Sequence, residues 1–346
     1  MNLNKNIVII GGGPAGLEAS ARLHRMGYNV ILVERSHRLG GHLADWDRLF
    51  PEGADAGRVL DSLLARIDGV KYFLNTEVNS VNLLEHSYNV ILSNGITVLA
   101  GAVLMASGFD LFPAGRKEEY GYGIYDHVIT NADLEAFFAS RNDERAPRDL
   151  RVPEDPRKIG FVHCVGSRDE KIGNRHCSKV CCATAVKQAC EIKEAFPQAD
   201  VYCFYMDLRM FGRGYEDLYL KAQKDCGVRF IRGRVSEVAE NIDKKLVIKA
   251  EDTPSGKPVQ VTLDLLVLMS GMQNSRAGCQ VGSMISLETA EDGFFVPRDS
   301  IGALQESERS GIFFAGACTG PKTLPDTLHE ARAAALAIHE YLKNLE

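Results

Sequence analysis

An α/β fold of two Rossmann-like units, the second inserted into the first, is what this sequence predicts. Three observations carry the prediction: a strand, glycine turn and helix open the chain; a second strand–helix–strand series begins near Lys158; and a strand with a small-residue turn of the first kind returns near residue 311. The expected division is 1–150 with 272–346 for the first unit and 151–271 for the second.

In the first unit, Asn6 to Ile10 is a β-branched run, followed by Gly11-Gly12-Gly13-Pro14-Ala15-Gly16 and a periodic helix from Leu17 to Met26. In such a turn Gly11 permits the tight bend, Gly13 lets a pyrophosphate approach the backbone, and Gly16 allows close helix–strand packing. The helix N-terminus, with Pro14 and Ala15 at its start, faces the phosphates. A glycine turn used only for packing is the plainer alternative. Against it stands Glu34, at the end of the strand Asn29 to Val33 and 18 residues after Gly16, where a ribose-binding acid with Arg35 beside it is expected.

Leu39-Gly40-Gly41-His42 then makes FAD the expected dinucleotide. Paired glycines past such an acid resemble the two-dinucleotide-binding-domain flavoproteins, in which Gly41, His42 and Leu43 would run alongside the cofactor, with Val78 further on. Val103 to Gly108, with Ala106, Ser107 and Gly108 in its turn, looks like the strand that closes the FAD domain of that superfamily. Gly311 to Gly316 resembles its last strand, although Ala317 and Cys318 stand where an aspartate commonly follows. Asp326, flanked by Pro325 and Thr327, is a candidate for that missing flavin contact. Its plainer role is to cap a long final helix from Thr327 to Leu345.

From Ala139 to Arg157 the chain is charged and carries Pro147, Pro153 and Pro156, which reads as a surface connection. Lys158 to Val165 is then expected as a strand, Ser178 to Ala195 as a helix, Val201 to Met206 as a strand, Glu216 to Asp225 as a helix and Val228 to Phe230 as a strand. The turn after the first of these lacks a G-x-G-x-x-G spacing and carries Cys164 instead, so nicotinamide binding there is not expected. Cys164, Cys177, Cys181 and Cys182 form the one dense group among nine cysteines. Cys177 and Cys181, four apart, face the same way if they share a helix or its first turn, and Cys164 can close the site from the strand end. Four thiolates suit a [4Fe–4S] cluster or a tetrahedral zinc, with reactive or merely buried thiols as the plainer reading. Cys190, Cys203, Cys226, Cys279 and Cys318 read as buried thiols.

Composition bounds the function. With 346 residues, 45% apolar and 25% charged, the chain is long enough for two domains. A net charge of −6 argues against nucleic acid as a partner. No apolar run approaches the roughly 18 to 20 residues that cross a bilayer, so no direct membrane insertion is expected. Met1 to Asn6 is polar and leads straight into a strand, so the cysteines are expected as reduced thiols in the cytoplasm.

Cys164-Val-Gly-Ser-Arg-Asp-Glu170 with His176-Cys-Ser-Lys-Val-Cys-Cys182, Glu119 to Gly123, Met206 to Glu216 and Gly320 to Thr327 resemble the heterodisulfide reductase A subunits over nearly the whole chain. The resemblance implies FAD and a [4Fe–4S] cluster on Cys164, Cys177, Cys181 and Cys182, in a subunit that passes electrons to B- and C-type partners and forms a homodimer. It also places Lys187 near the flavin ring; a solvated helix lysine is the alternative. Without the extra ferredoxin-type motifs of methanogen proteins, the chain is most similar to the short subunit of the sulfur-oxidising heterodisulfide-reductase-like complex. The A subunit of the quinone-interacting membrane-bound oxidoreductase is the alternative within the family. An NAD(P)H-dependent flavoprotein disulfide reductase is the rival enzyme, and a cofactor-bearing scaffold the rival that is none. Arg209 to Arg213 reads as a docking surface or as a charged turn.

Overall fold

A computed structural model of the chain describes residues 6–85, 87–141 and 151–345. Two compact units divide the chain, one of Met1–Ala44, Gly57–Asp110 and Gln273–Glu346, the other of Asp45–Ala56 and Leu111–Met272.

The first unit is built on five parallel strands, in spatial order Ile312–Phe314, Ala102–Met105, Asn6–Ile10, Asn29–Val33 and Lys71–Phe73. A parallel sheet is buried on both faces, so its strands must be apolar throughout rather than alternating. Ile7, Val8, Ile9 and Val103, Leu104, Met105 accordingly have no exposed surface. The helix Pro14–Arg25 starts with proline where a missing N–H leaves no bond unmade. It packs against the C-terminal helix Leu324–Asn344. Between the strand at 71 and the strand at 102 the chain makes an antiparallel meander, Val78–Leu83, Tyr88–Leu92 and Thr97–Ala100.

The second unit repeats this plan. Its parallel sheet runs Val128–Thr130, Leu265–Ser270, Lys158–Val165, Asp200–Tyr205 and Arg229–Arg232. A second meander, Val235–Glu240, Leu246–Asp252 and Lys257–Leu263, occupies the same place in the strand series. Lys158–Val165 is therefore the counterpart of Asn6–Ile10, and the stretch from Gly166 to Val180 the counterpart of the glycine turn.

The unit boundary falls at 110/111 rather than 150/151, because Val128–Thr130 pairs with Leu265–Ser270 and takes the helix Asn131–Arg141 into the second unit. Residues 142–150 of the expected surface connection, Pro147 included, lie outside the described residues. The helices expected from Leu17 and Glu216 begin at Pro14 and Tyr215, and two others differ at their starts for a visible reason. The one expected from Ser178 begins at Cys181, because Lys179 has φ +58° and lies outside the helical region. The final one begins at Leu324, because Thr323 is its cap: its side chain accepts from the Asp326 N–H, and Asp326 reciprocates at the Thr323 N–H. Asp326 thus completes a capping box from the third helical position. No helix among the described residues is long and apolar enough to cross a membrane.

Candidate functional site

In the first unit the glycine turn is a cradle that side chains would fill. A Cβ on Gly11, itself at φ +112°, would collide with the Ala106 carbonyl, and one on Gly16 with the Gly11 carbonyl. Gly13 differs: a Cβ there would meet only the Gly41 Cα at 3.9 Å, so its face is open, as the approach of a phosphate requires. Glu34 is buried at the strand end, where its carboxylate accepts from the Gly12 N–H at 2.6 Å and the Ser36 N–H at 2.8 Å. A groove runs past Gly11, Glu34, Arg35, Val78 and Ser107. Arg35 pairs with Asp110 at 3.3 Å. The Ser107 hydroxyl is buried without a hydrogen-bond partner, an orphan that a bound polar ligand would satisfy.

His42 shares a hydrogen bond with the Phe109 carbonyl at 2.9 Å and stacks on that ring, centroids 4.4 Å apart. Leu43 is buried beside it in the chain, and Ala106 and Gly108 flank Ser107 in the turn after the Ala102–Met105 strand. Gly316 has φ +79° and donates to Glu330 at 3.1 Å; Ala317 opens a short 3-10 turn there. Pro325, Asp326 and Thr327 form the first turn of the C-terminal helix. The groove also takes in Thr76, Glu77 and the helix Arg276–Met284, which the sequence reading missed. Its one start signal is Ser275, whose side chain caps the Gly278 N–H at 3.4 Å.

In the second unit the four cysteines gather at the C-terminal end of the sheet, where parallel α/β folds bind their ligands. Cys164, next to last in its strand Lys158–Val165, has φ +60°. Cys181 and Cys182 begin their helix, whereas Cys177 lies before it and is reached by the Lys179 N–H at 3.4 Å. The shared-helix expectation for Cys177 and Cys181 is therefore corrected. A loop turning through Lys179 groups these two, and the Cys182 thiol contacts the Asp207 carbonyl at 3.6 Å. Burial pushes the Cys164 thiol up to about 11, with Cys182 and Cys177 adding to the shift and the Arg168 guanidinium opposing it. Cys181 is raised further, by burial and then by all three other cysteines. Burial likewise raises Cys182.

Thiols so shifted are poor nucleophiles, which argues against a reactive-cysteine reading. Among the described residues no three His, Cys, Asp or Glu side chains converge on a single metal position. The surroundings fit an anionic centre. The helix at Cys181 has no side-chain cap on its N–H groups, one Arg168 nitrogen is buried and unpartnered, and both ring nitrogens of buried His163 lack partners.

Lys187 is not a solvated lysine. It is 5% exposed, forms ion pairs with Glu135 and with Glu191 (3.3 Å), and donates to the Arg48 carbonyl at 2.9 Å. Gln188 also donates to Glu135, at 2.8 Å. Burial, with Glu135 and Asp47 adding to it, raises the Glu191 carboxyl to about 7 against the pull of Lys187. Of the remaining cysteines, Cys190, Cys203 and Cys318 are buried as expected, while Cys226 and Cys279 are only half-buried. In the segment Arg209 to Arg213, Phe211 is exposed.

Residues 1–136 match the family described as pyridine nucleotide-disulphide oxidoreductase. Thioredoxin reductase of Lactococcus lactis, in its FR conformation, superposes with a TM-score of 0.70 over 98% of this chain and 99% of that one, at 16% identity. The fold is thus the two-domain, Rossmann-like α/β flavoprotein fold. The iron-sulfur A subunit of the CoB–CoM heterodisulfide reductase of Methanocaldococcus jannaschii is 30% identical over 425 residues, spanning 98% of this chain and 64% of that protein. The chain is similar to heterodisulfide reductase A subunits. The A subunit of the H2/formate:CoB–CoM heterodisulfide, ferredoxin reductase of Methanococcus maripaludis is 39% identical over 248 residues, 70% of this chain and 37% of that protein. The chain therefore spans less than two thirds of the length of these relatives, both of which are oxidoreductase subunits by name.

Proposed function

We propose that this chain is a FAD- and [4Fe–4S]-carrying electron-transfer subunit of a heterodisulfide-reductase-like complex. One observation carries the reading: four mutually interacting cysteines stand at the sheet end where the repeated plan of the fold would otherwise put a second phosphate-binding glycine turn. Similarity to heterodisulfide reductase A subunits over 98% of the chain supports it.

Gly11, Gly13 and Gly16 would admit the pyrophosphate, Glu34 is the candidate acid for the ribose, and Ser107 offers an unsatisfied hydroxyl in the same groove. Cys164, Cys177, Cys181 and Cys182 would hold the cluster. A flavin exchanges electrons in pairs and a cluster exchanges them singly, so the two together turn a two-electron donor into a one-electron exit. Lys187, from the motif resemblance, would serve the flavin; its ion pairs with Glu135 and Glu191 fix its ammonium and exclude water from it. Partner subunits of B and C type, a homodimer, a cytoplasmic setting and use in sulfur oxidation complete the proposal, on the motif resemblance alone.

Anaerobic purification followed by flavin, iron and sulfide analysis and electron paramagnetic resonance tests this. About one FAD and about four irons per chain are expected; zinc or no metal overturns the cluster. The family match of residues 1–136 favours one other reading, an NAD(P)H-dependent disulfide reductase. Rapid bleaching of the flavin by NADH in stopped flow would support that instead.

A further inference from the structure

We propose that Arg168 is the counter-charge of the cysteine site: its guanidinium, anchored by Asp207, offsets the negative charge gathered there and raises the reduction potential of the cluster. This rests on the iron–sulfur assignment above.

The two units differ at this turn. In the first, the turn after Asn6–Ile10 is closed by the Gly12 N–H on Glu34, the residue that follows the neighbouring strand. In the second, Arg168 Nη2 donates to Asp207 Oδ2 at 2.8 Å, and Asp207 follows the corresponding strand Asp200–Tyr205. Where the first unit meets that carboxylate with a neutral glycine N–H, the second meets it with a full positive charge. Arg168 is held there against backbone preference. Its φ is +53°, unusual for a residue with a long side chain, and its N–H is fixed on the His176 carbonyl at 2.9 Å. Its side chain is 22% exposed, and Nη1 is buried with no hydrogen-bond partner. Such a group is explained by a ligand that accepts from it. The guanidinium stands beside the thiols: Arg168 is four residues past Cys164 in the same turn, and the Asp207 that anchors it also accepts from the Cys182 thiol, through its carbonyl, at 3.6 Å.

Four thiolates outweigh the positive charge of an iron–sulfide core, so the site is anionic. One-electron reduction, by an electron from the flavin, makes or breaks no bond at the protein and adds one negative charge. A fixed cation stabilises the reduced form more than the oxidised form, and net charge and hydrogen bonds to sulfur are what set cluster potentials. Removing Arg168 should lower the potential; removing only Asp207 leaves the guanidinium uncompensated and should raise it.

The test is a redox titration monitored by electron paramagnetic resonance, on the full chain purified anaerobically, after iron and sulfide analysis of each protein. Arg168→Gln is expected to lower the reduced-to-oxidised ratio at fixed potential about tenfold, which is about 59 mV for one electron. Arg168→Lys should restore most of that, and Asp207→Asn should shift the potential upward. If Arg168→Gln keeps its iron at an unchanged potential, or if the Gln and Asn variants shift in the same direction, the inference is overturned. If Arg168→Gln loses its iron, Asp207→Asn decides, and an unmoved potential there overturns it equally. A wild-type chain without iron is the separate failure of the cluster assignment.

Discussion

Glu191 shows what burial does to a single group here. Its carboxyl titrates near 7 because few solvent dipoles reach it and because Glu135 and Asp47 stand close by, with Lys187 only partly offsetting them. Between pH 4.5 and 7 the folded chain keeps the Glu191 proton while the unfolded chain has released it, so folding stability falls as pH rises through that window. Glu191→Gln mimics the protonated form. Its stability relative to the wild type should be unchanged near pH 4.5 and should improve by up to about 3 kcal/mol at pH 8, read as a widening gap in Tm across a pH series. Gly16 is the opposite case, a residue whose value is having no side chain. Gly16→Ala drives a methyl into the Gly11 carbonyl, and overpacking of this kind costs about 1–3 kcal/mol. Loss of bound flavin should accompany the drop in Tm.

At the scale of elements, the sequence placed strands better than helix starts, and the reason is physical. The parallel strands are apolar from end to end because both faces are covered, so Asn6–Ile10, Asn29–Val33 and Lys158–Val165 could be read with their bounds intact. Helix starts depend on single side chains. Asp326 looked like a cap, but Thr323 three residues earlier takes that role and Asp326 answers it. Thr323→Ala should therefore destabilise the C-terminal helix by about 1 kcal/mol, seen as a lowered midpoint in urea with an unchanged slope. The cysteine spacing was legible as a group, but not the φ +58° at Lys179 that keeps Cys177 off the helix. Nor was the burial of Lys187 readable, since its carboxylate partner Glu135 lies 52 residues away in sequence. The Arg168–Asp207 pair, 39 residues apart, was hidden for the same reason.

At the scale of the molecule, one plan is used twice: five parallel strands with a meander leading into Ala102–Met105 in the first unit and into Leu265–Ser270 in the second, each sheet having its own core. A Cys181→Ser, Cys182→Ser double variant should therefore lose iron while keeping about one flavin per chain; loss of both together would show that the sites are not separable. The two copies differ in where the edge strand next to the post-meander strand comes from. In the second unit it is Val128–Thr130, which precedes the rest of its sheet in sequence; in the first it is Ile312–Phe314, which follows the rest of its sheet. During synthesis the second sheet is thus complete once residue 270 has left the ribosome. The first sheet waits with the far edge of Ala102–Met105 unpaired, an invitation to other nascent chains. The first sheet is thus closed by a strand that is made only after the whole of the second sheet.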